Sequence, residues 1–163
     1  ITTYTNENLR QICNYFVEQH GYVPNNVTLV TWYVFLLQDC VRPYQSSITS
    51  GPRISSIVFD DLPDAVRFIK KGTVDRYYLT RSRDLYRDRA AEFAFEVDKR
   101  SQGLVIKRLE RIYDHIFLDQ VQDLAAYDLE ILDKLFQSNI PTFSVGDPRQ
   151  AIFSTNRGSK NKK

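Results

Sequence analysis

The sequence IFLDQVQD fills residues 116–123, and it opens with a short apolar run that ends at Asp119. Such a run is typical of a strand buried within a parallel sheet. A second strand is predicted at residues 141–145, and apolar residues at helical spacing run from Ala125 to Phe136 between the two strands. Strand, helix and strand in succession predict a parallel sheet flanked by helices.

The first 45 residues repeat this alternation. Residues 1–4 and 27–31 carry the β-branched and apolar side chains of strands. After the first strand, apolar residues at helical spacing from Leu9 onward predict an amphipathic helix that ends at Gly21, and residues 32–41 are apolar enough for a buried helix. The predicted fold class is therefore α/β.

The middle of the chain differs in composition from both flanks. Residues 45–63 are rich in turn-forming residues, and three helical patterns follow. From Arg67 to Arg111 there are 13 Lys and Arg residues against 7 Asp and Glu residues, whereas the whole chain carries a net charge of only +2. We predict a small, basic, helical insertion at residues 46–111, with residues 1–45 and 112–163 forming the α/β core.

Composition excludes several classes of protein. The 163 residues are 42% hydrophobic, which is enough for one domain core and too much for a disordered chain. No apolar run approaches the roughly 18 residues of a membrane span, so no membrane partner is expected. Cys13 and Cys40 lack zinc-ligand spacing and are expected to be reduced core residues of a cytoplasmic protein. The absence of methionine, with Ile1 in first place, suggests a piece of a longer protein.

Residues just beyond the strands are the candidates for function, because ligands of open α/β sheets bind at the carboxyl ends of the strands. Asp119 stands at such an end and offers the oxygen ligand that Mg²⁺ prefers. A strand that simply ends in a polar turn would have the same pattern.

Four segments in order give a more specific signal: YTN at 4–6, VTW at 30–32, IFLDQVQD at 116–123 and VGDPRQAIF at 145–153. They resemble motifs Ia, Ib, II and III of the UvrD/Rep-type superfamily 1 DNA helicases. The resemblance implies a partial RecA-like P-loop NTPase domain. It also implies one part of an ATP-dependent motor that moves on single-stranded DNA.

The resemblance assigns roles to individual residues. Asp119 would bind the Mg²⁺ of ATP, and Gln120 occupies the catalytic position beside it. The other nucleotide-binding positions are Gln122, Asp123, Asp147 and Gln150. Single-stranded DNA would be contacted by Tyr4, Thr5, Asn6, Thr31, Trp32 and Phe153. Stacking on bases suits such a motor because every base has a π-face, although core packing is an equal alternative for Tyr4 and Trp32.

The basic insertion occupies the place where these helicases approach duplex DNA. Arg87, Arg89 and Arg100 could neutralise phosphates there and give salt-sensitive binding. The alternative is a solvated helix surface on which nearby acidic residues balance the arginines.

Two departures from the family pattern bear on activity. Gln120 stands where the family has the Glu that serves as general base, and an amide cannot accept the proton. The phosphate loop GxxxxGK[ST] is absent from these residues. We therefore predict that this chain alone neither binds ATP tightly nor hydrolyses it, and does not unwind DNA.

Two other functions remain open at this point. Gln120 is compatible with a non-catalytic DNA-binding or scaffolding module that has lost its ATPase. Asp119, Asp123 and Asp147 could instead form the metal cluster of a nuclease. Some members of the family act beside a separate nuclease, so a nuclease partner of the parent protein is a further possibility.

Overall fold

The computed structural model describes residues 1–147 of the chain. The strands are β1 (Thr2–Thr3), β2 (Val30–Thr31), β3 (Ile57–Val58), β4 (Leu85–Tyr86), β5 (Ile116–Asp119) and β6 (Thr142–Val145). The helices are α1 (Asn6–His20), α2 (Trp32–Phe35), α3 (Asp64–Arg67), α4 (Val74–Tyr78), α5 (Ala90–Arg100), α6 (Leu104–Ile112) and α7 (Tyr127–Gln137).

Four of the strands form one parallel sheet in the order β2-β1-β5-β6. Thr2 lies opposite both Val30 and Leu118, and Asp119 lies opposite Val145. Because all four strands run the same way, their carboxyl ends share one edge. The predicted α/β class with a parallel sheet flanked by helices is confirmed.

The hydrophobic core lies on one face of this sheet. Ile116 and Leu118 of β5 join a buried cluster with residues of α2, α5 and α7. Phe117 points to the other face, where it is 44% exposed and stacks on Phe143 with ring centroids 5.1 Å apart. The expectation that β5 is fully buried is therefore wrong, because Phe117 on its second face is only partly covered within residues 1–147.

Helix α1 begins and ends as its sequence predicts. The Thr5 hydroxyl accepts a hydrogen bond from Asn8 N–H at the start, and Gly21 adopts a left-handed conformation at the end. None of its residues is buried, however, so Cys13 is only half-buried and not the core residue that was expected. Cys40 is 2% exposed, and burial raises the pKa of its thiol.

The second predicted helix, residues 32–41, is present but changes its winding. It begins as α2 and continues from Leu36 to Val41 with the wider turns of a π-helix. This segment is almost entirely buried, which agrees with its apolar sequence.

The middle of the chain is less helical than predicted. Its strands β3 and β4 pair in parallel as a separate two-stranded sheet, and the first of its three helical patterns forms only the four-residue helix α3. Helices α5 and α6 share the core of the main sheet, and Lys134 of α7 forms a 2.8 Å ion pair with Asp98 of α5, whose side chain is 4% exposed. The separate insertion at residues 46–111 stays a prediction, but its helices α5 and α6 pack into the same core as the main sheet.

Within residues 1–147, no helix combines the length and apolar character that crossing a membrane requires.

Candidate nucleic-acid interface

A surface groove of about 260 Å³ opens where the main sheet and the small sheet face each other. Five of the residues predicted to bind DNA line it, together with two that were not predicted. The lining residues are Tyr4, Thr5, Asn6, Thr31, Tyr33, Phe59 and Arg87. We call this feature the aromatic groove.

The main sheet supplies one wall of the aromatic groove. Tyr4, Thr5 and Asn6 follow β1, and Thr31 closes β2. Thr5 caps α1, so the groove lies at the N-terminus of a 15-residue helix. The first backbone N–H groups of a helix lack intrahelical acceptors and favour anions such as phosphate. Thr31 is 9% exposed, and its hydroxyl accepts from Val34 N–H.

Three aromatic rings are in contact along the groove. The hydroxyls of Tyr4 and Tyr33 are 2.8 Å apart, and their ring centroids are separated by 5.6 Å. Tyr33 meets Phe59 edge to face, with centroids 5.3 Å apart and ring planes at 86°. Burial and the neighbouring Tyr4 raise the pKa of Tyr33, so this hydroxyl stays protonated at physiological pH.

The small sheet supplies the opposite wall. Phe59 directly follows β3 and Arg87 directly follows β4, and the two strands are aligned so that Val58 lies opposite Tyr86. Phe59 and Arg87 therefore lie side by side at the ends of adjacent strands. Arg87 is half-buried and donates to Asp88 Oδ1 at 3.2 Å. It is the only cationic side chain among the lining residues of this groove.

Trp32 does not belong to the groove, contrary to its predicted role in base stacking. Its side chain is 2% exposed, and its indole N–H donates to Asp128 Oδ1 at 2.7 Å. The ring also stacks on Phe35 with centroids 5.5 Å apart. The indole is enclosed because it begins α2 on the side that faces the core, so the alternative of core packing is correct for Trp32.

Arg89 is likewise unsuited to the phosphate contact predicted for it. It is 6% exposed and donates to the carbonyls of Tyr77 and Val66. Its guanidinium also lies 3.6 Å from the centroid of the Tyr77 ring. These contacts make it a structural residue of the insertion. Arg100 is exposed at the end of α5 and does not line the groove.

Asp119 ends β5 at the carboxyl edge of the main sheet. Its Oδ2 accepts a hydrogen bond of 3.0 Å from the Thr3 hydroxyl on the neighbouring strand. The carboxylate is half-buried. A single carboxylate held in this way fits Mg²⁺ bound to a nucleotide, because such Mg²⁺ takes one or two carboxylates and completes its shell with phosphate and water oxygens.

The residues after Asp119 form a tight turn. Gln120 has a left-handed backbone, with φ of 63°, and its side-chain oxygen accepts from the Gln122 amide. Gly146, just beyond β6, packs so closely on this turn that an added Cβ would lie 2.9 Å from Val121 Cγ2. The ends of β5 and β6 thus converge, which brings Asp147 towards the motif II turn. Desolvation raises the pKa of Asp123.

Two predicted site residues, Gln150 and Phe153, lie outside the described residues. Among residues 1–147 no group of three His, Cys, Asp or Glu side chains could hold a metal ion. Within this part of the chain, Asp119, Asp123 and Asp147 therefore do not form the cluster that the nuclease hypothesis requires.

One protein family matches this sequence. The UvrD/REP helicase N-terminal domain matches residues 78–162, which is more than half of the chain and includes motifs II and III. The chain belongs to this helicase family. No curated protein matches it. The resemblance noted in the sequence is confirmed, and the parallel sheet is that of a partial RecA-like domain.

The UvrD/REP family sets the general chemistry of the site. Its members are helicases that use ATP and Mg²⁺ and act on DNA. The matched range begins at Tyr78 and so leaves out Tyr4, Thr31, Tyr33 and Phe59.

Sequence reasoning missed Tyr33 and Phe59 in this UvrD/REP-type domain. Tyr33 directly follows Trp32 at the start of a helix. Adjacent helical residues point in different directions, so either ring could have lined the groove. Phe59 lies after a short β-branched run, Ile57–Val58, in a segment that reads as turns. Only the pairing of β3 with β4 brings it to the groove.

Proposed function

We propose that this chain is part of an ATP-dependent DNA helicase or translocase motor, and that the aromatic groove holds its single-stranded DNA. The observation that carries the proposal is the convergence of Tyr4, Thr5, Asn6, Thr31 and Arg87 on one groove. Aromatic rings offer sequence-independent stacking, and an arginine and a helix N-terminus offer phosphate contacts. These are the interactions that a motor needs if it is to step along any sequence.

The nucleotide end of the proposed motor lies at the edge of β5. Asp119, held by Thr3, would bind the Mg²⁺ of ATP, and hydrolysis of ATP supplies the energy for movement. Gln122, Asp123, Asp147 and Gln150 remain proposed nucleotide-binding residues. Because the Gln120 amide cannot act as general base, we propose that the isolated chain does not hydrolyse ATP.

A non-catalytic DNA-binding module is the second candidate, and Gln120 is the observation that favours it. Both candidates require the same DNA groove, so a test of the groove serves both. We further propose that the insertion contacts duplex DNA and that a separate nuclease is a partner.

The proposed groove is tested by replacing its cation. We expect Arg87→Gln to weaken binding of a labelled oligothymidylate by about 3- to 10-fold, because one phosphate contact is lost. The slope of log affinity against log salt should fall by about 0.7, the value for one contact with a single strand. Fluorescence anisotropy across a salt series measures both quantities.

Arg100→Gln is the matched control, since this exposed arginine does not line the groove. Its affinity and salt slope should equal those of the unmodified chain. If Arg100→Gln changed the slope and Arg87→Gln left it unchanged, DNA would bind on the helical surface of the insertion and not in the groove.

A further inference from the structure

Phe59 combines features that are unusual for a phenylalanine. It is 55% exposed, yet its ring is held edge to face against Tyr33, which is 9% exposed. Tyr33 is in turn fixed by the 2.8 Å hydrogen bond with Tyr4. More than half of Phe59 is therefore open to solvent, while the contact with Tyr33 restricts the orientation of its ring.

The backbone that carries Phe59 is anchored as well. The Arg42 side chain donates to the Ile54 carbonyl at 2.8 Å, and the Gln45 side chain accepts from Ile54 N–H at 3.0 Å. Leu85 N–H donates to the Ser56 carbonyl at 2.9 Å. These bonds tie the segment before Phe59 to the end of the buried π-helix and to β4. The ring thus sits on a supported strand end.

The neighbour of Phe59 in the small sheet is a cation, Arg87. Arg87 leaves the adjacent strand end and lines the same groove. A nucleotide presents a flat apolar base and an anionic phosphate, which match a ring and a guanidinium placed side by side. An apolar peptide would leave the Arg87 guanidinium without an anionic partner. A small anion would make no stacking contact with the Phe59 ring.

We infer that Phe59 is a stacking platform for one nucleobase of an unpaired strand and that Tyr33 is the residue that positions it. This inference rests on the proposed function of the aromatic groove. A base offers its face to a protein ring only when it is unpaired or unstacked, so the platform selects single-stranded over duplex DNA. It also makes the insertion, and not only the main sheet, a direct participant in single-strand binding.

The first test removes the ring. Phe59→Ala should weaken binding of an oligothymidylate by about 5- to 150-fold, the range for loss of one stacked base. Phe68→Ala is the matched control, because Phe68 also lies between β3 and β4, is 87% exposed and does not line the groove. Neither substitution removes a buried side chain, so thermal unfolding should be unchanged.

A second test reports contact directly. The chain has one tryptophan, Trp32, which is buried. In Phe59→Trp, DNA should quench the fluorescence of the new indole, whereas Trp32 of the unmodified chain should not respond. Abasic nucleotides in the oligonucleotide should lower the affinity of the unmodified chain more than that of Phe59→Ala.

The results separate this inference from the proposed function. Loss of affinity in Phe59→Ala, with retained affinity and quenching in Phe59→Trp, supports the platform. Equal affinity of Phe59→Ala and the unmodified chain overturns the platform but leaves the groove intact. If the unmodified chain binds no single-stranded DNA at all, the proposed function of the groove fails together with the inference.

Discussion

Trp32→Ala is expected to lower the free energy of unfolding by about 3–5 kcal/mol, the cost of removing a large aromatic side chain from a packed core. The indole is 2% exposed, stacks on Phe35 and donates to Asp128, which is itself 2% exposed. Its loss would leave a cavity and remove a donor from a buried carboxylate. Urea denaturation followed by circular dichroism measures the change.

Trp32→Phe keeps the position testable if Trp32→Ala fails to fold. It retains an aromatic ring but removes the donor to Asp128, so we expect a smaller loss of stability and an unchanged affinity for single-stranded DNA. Unchanged stability with weaker DNA binding would contradict the structural role. Trp32 would then be the stacking residue that its sequence position first suggested.

Arg89→Met is expected to cost about 2–4 kcal/mol of unfolding free energy. The guanidinium satisfies the carbonyls of Val66 and Tyr77, and it lies over the Tyr77 ring at 3.6 Å. Hydrogen bonds from a charged donor contribute about 1.5–3 kcal/mol, and a cation over an aromatic ring adds about 0.5–2 kcal/mol. Methionine fills similar space but satisfies neither carbonyl.

The matched control for this prediction is Arg100→Met, which changes an exposed arginine and should alter stability by less than about 0.5 kcal/mol. Equal denaturation midpoints for the two variants would contradict the buried role of Arg89. A salt-dependent loss of DNA affinity in Arg89→Met at unchanged stability would instead restore its predicted phosphate contact.

The sequence was sufficient to predict the elements that depend on local patterns. The alternation of apolar strands and amphipathic helices predicted β1, β5, β6, α1 and α7. The rule that ligands bind at strand ends then predicted that Tyr4, Thr5, Asn6 and Thr31 would gather. Those residues do line one groove, because the carboxyl ends of parallel strands share an edge.

The directions of the two aromatic side chains at the start of α2 could not be predicted from the sequence. Trp32 and Tyr33 are adjacent aromatic residues, and successive residues of a helix point about 100° apart. Both rings are buried, and the pattern does not say which of them also lines the groove. The structure buries the indole against Asp128 and turns Tyr33 towards the groove.

The middle of the chain was harder because its structure depends on contacts distant in sequence. Ile57 pairs with Leu85 across 28 positions, and this pairing alone places Phe59 beside Arg87. Arg89 lies only two residues beyond Arg87, yet it turns inward to bond carbonyls that no local pattern identifies. A charge count over this segment could therefore not separate surface arginines from buried ones.

The central claim is that single-stranded DNA lies in the aromatic groove. Photocross-linking with a 5-iodouracil oligonucleotide, followed by mass spectrometry of the peptides, tests it most directly. We predict adducts on peptides that contain Tyr4, Tyr33 or Phe59, and fewer adducts at high salt. Adducts confined to α5 and α6, with none at these three rings, would contradict the claim.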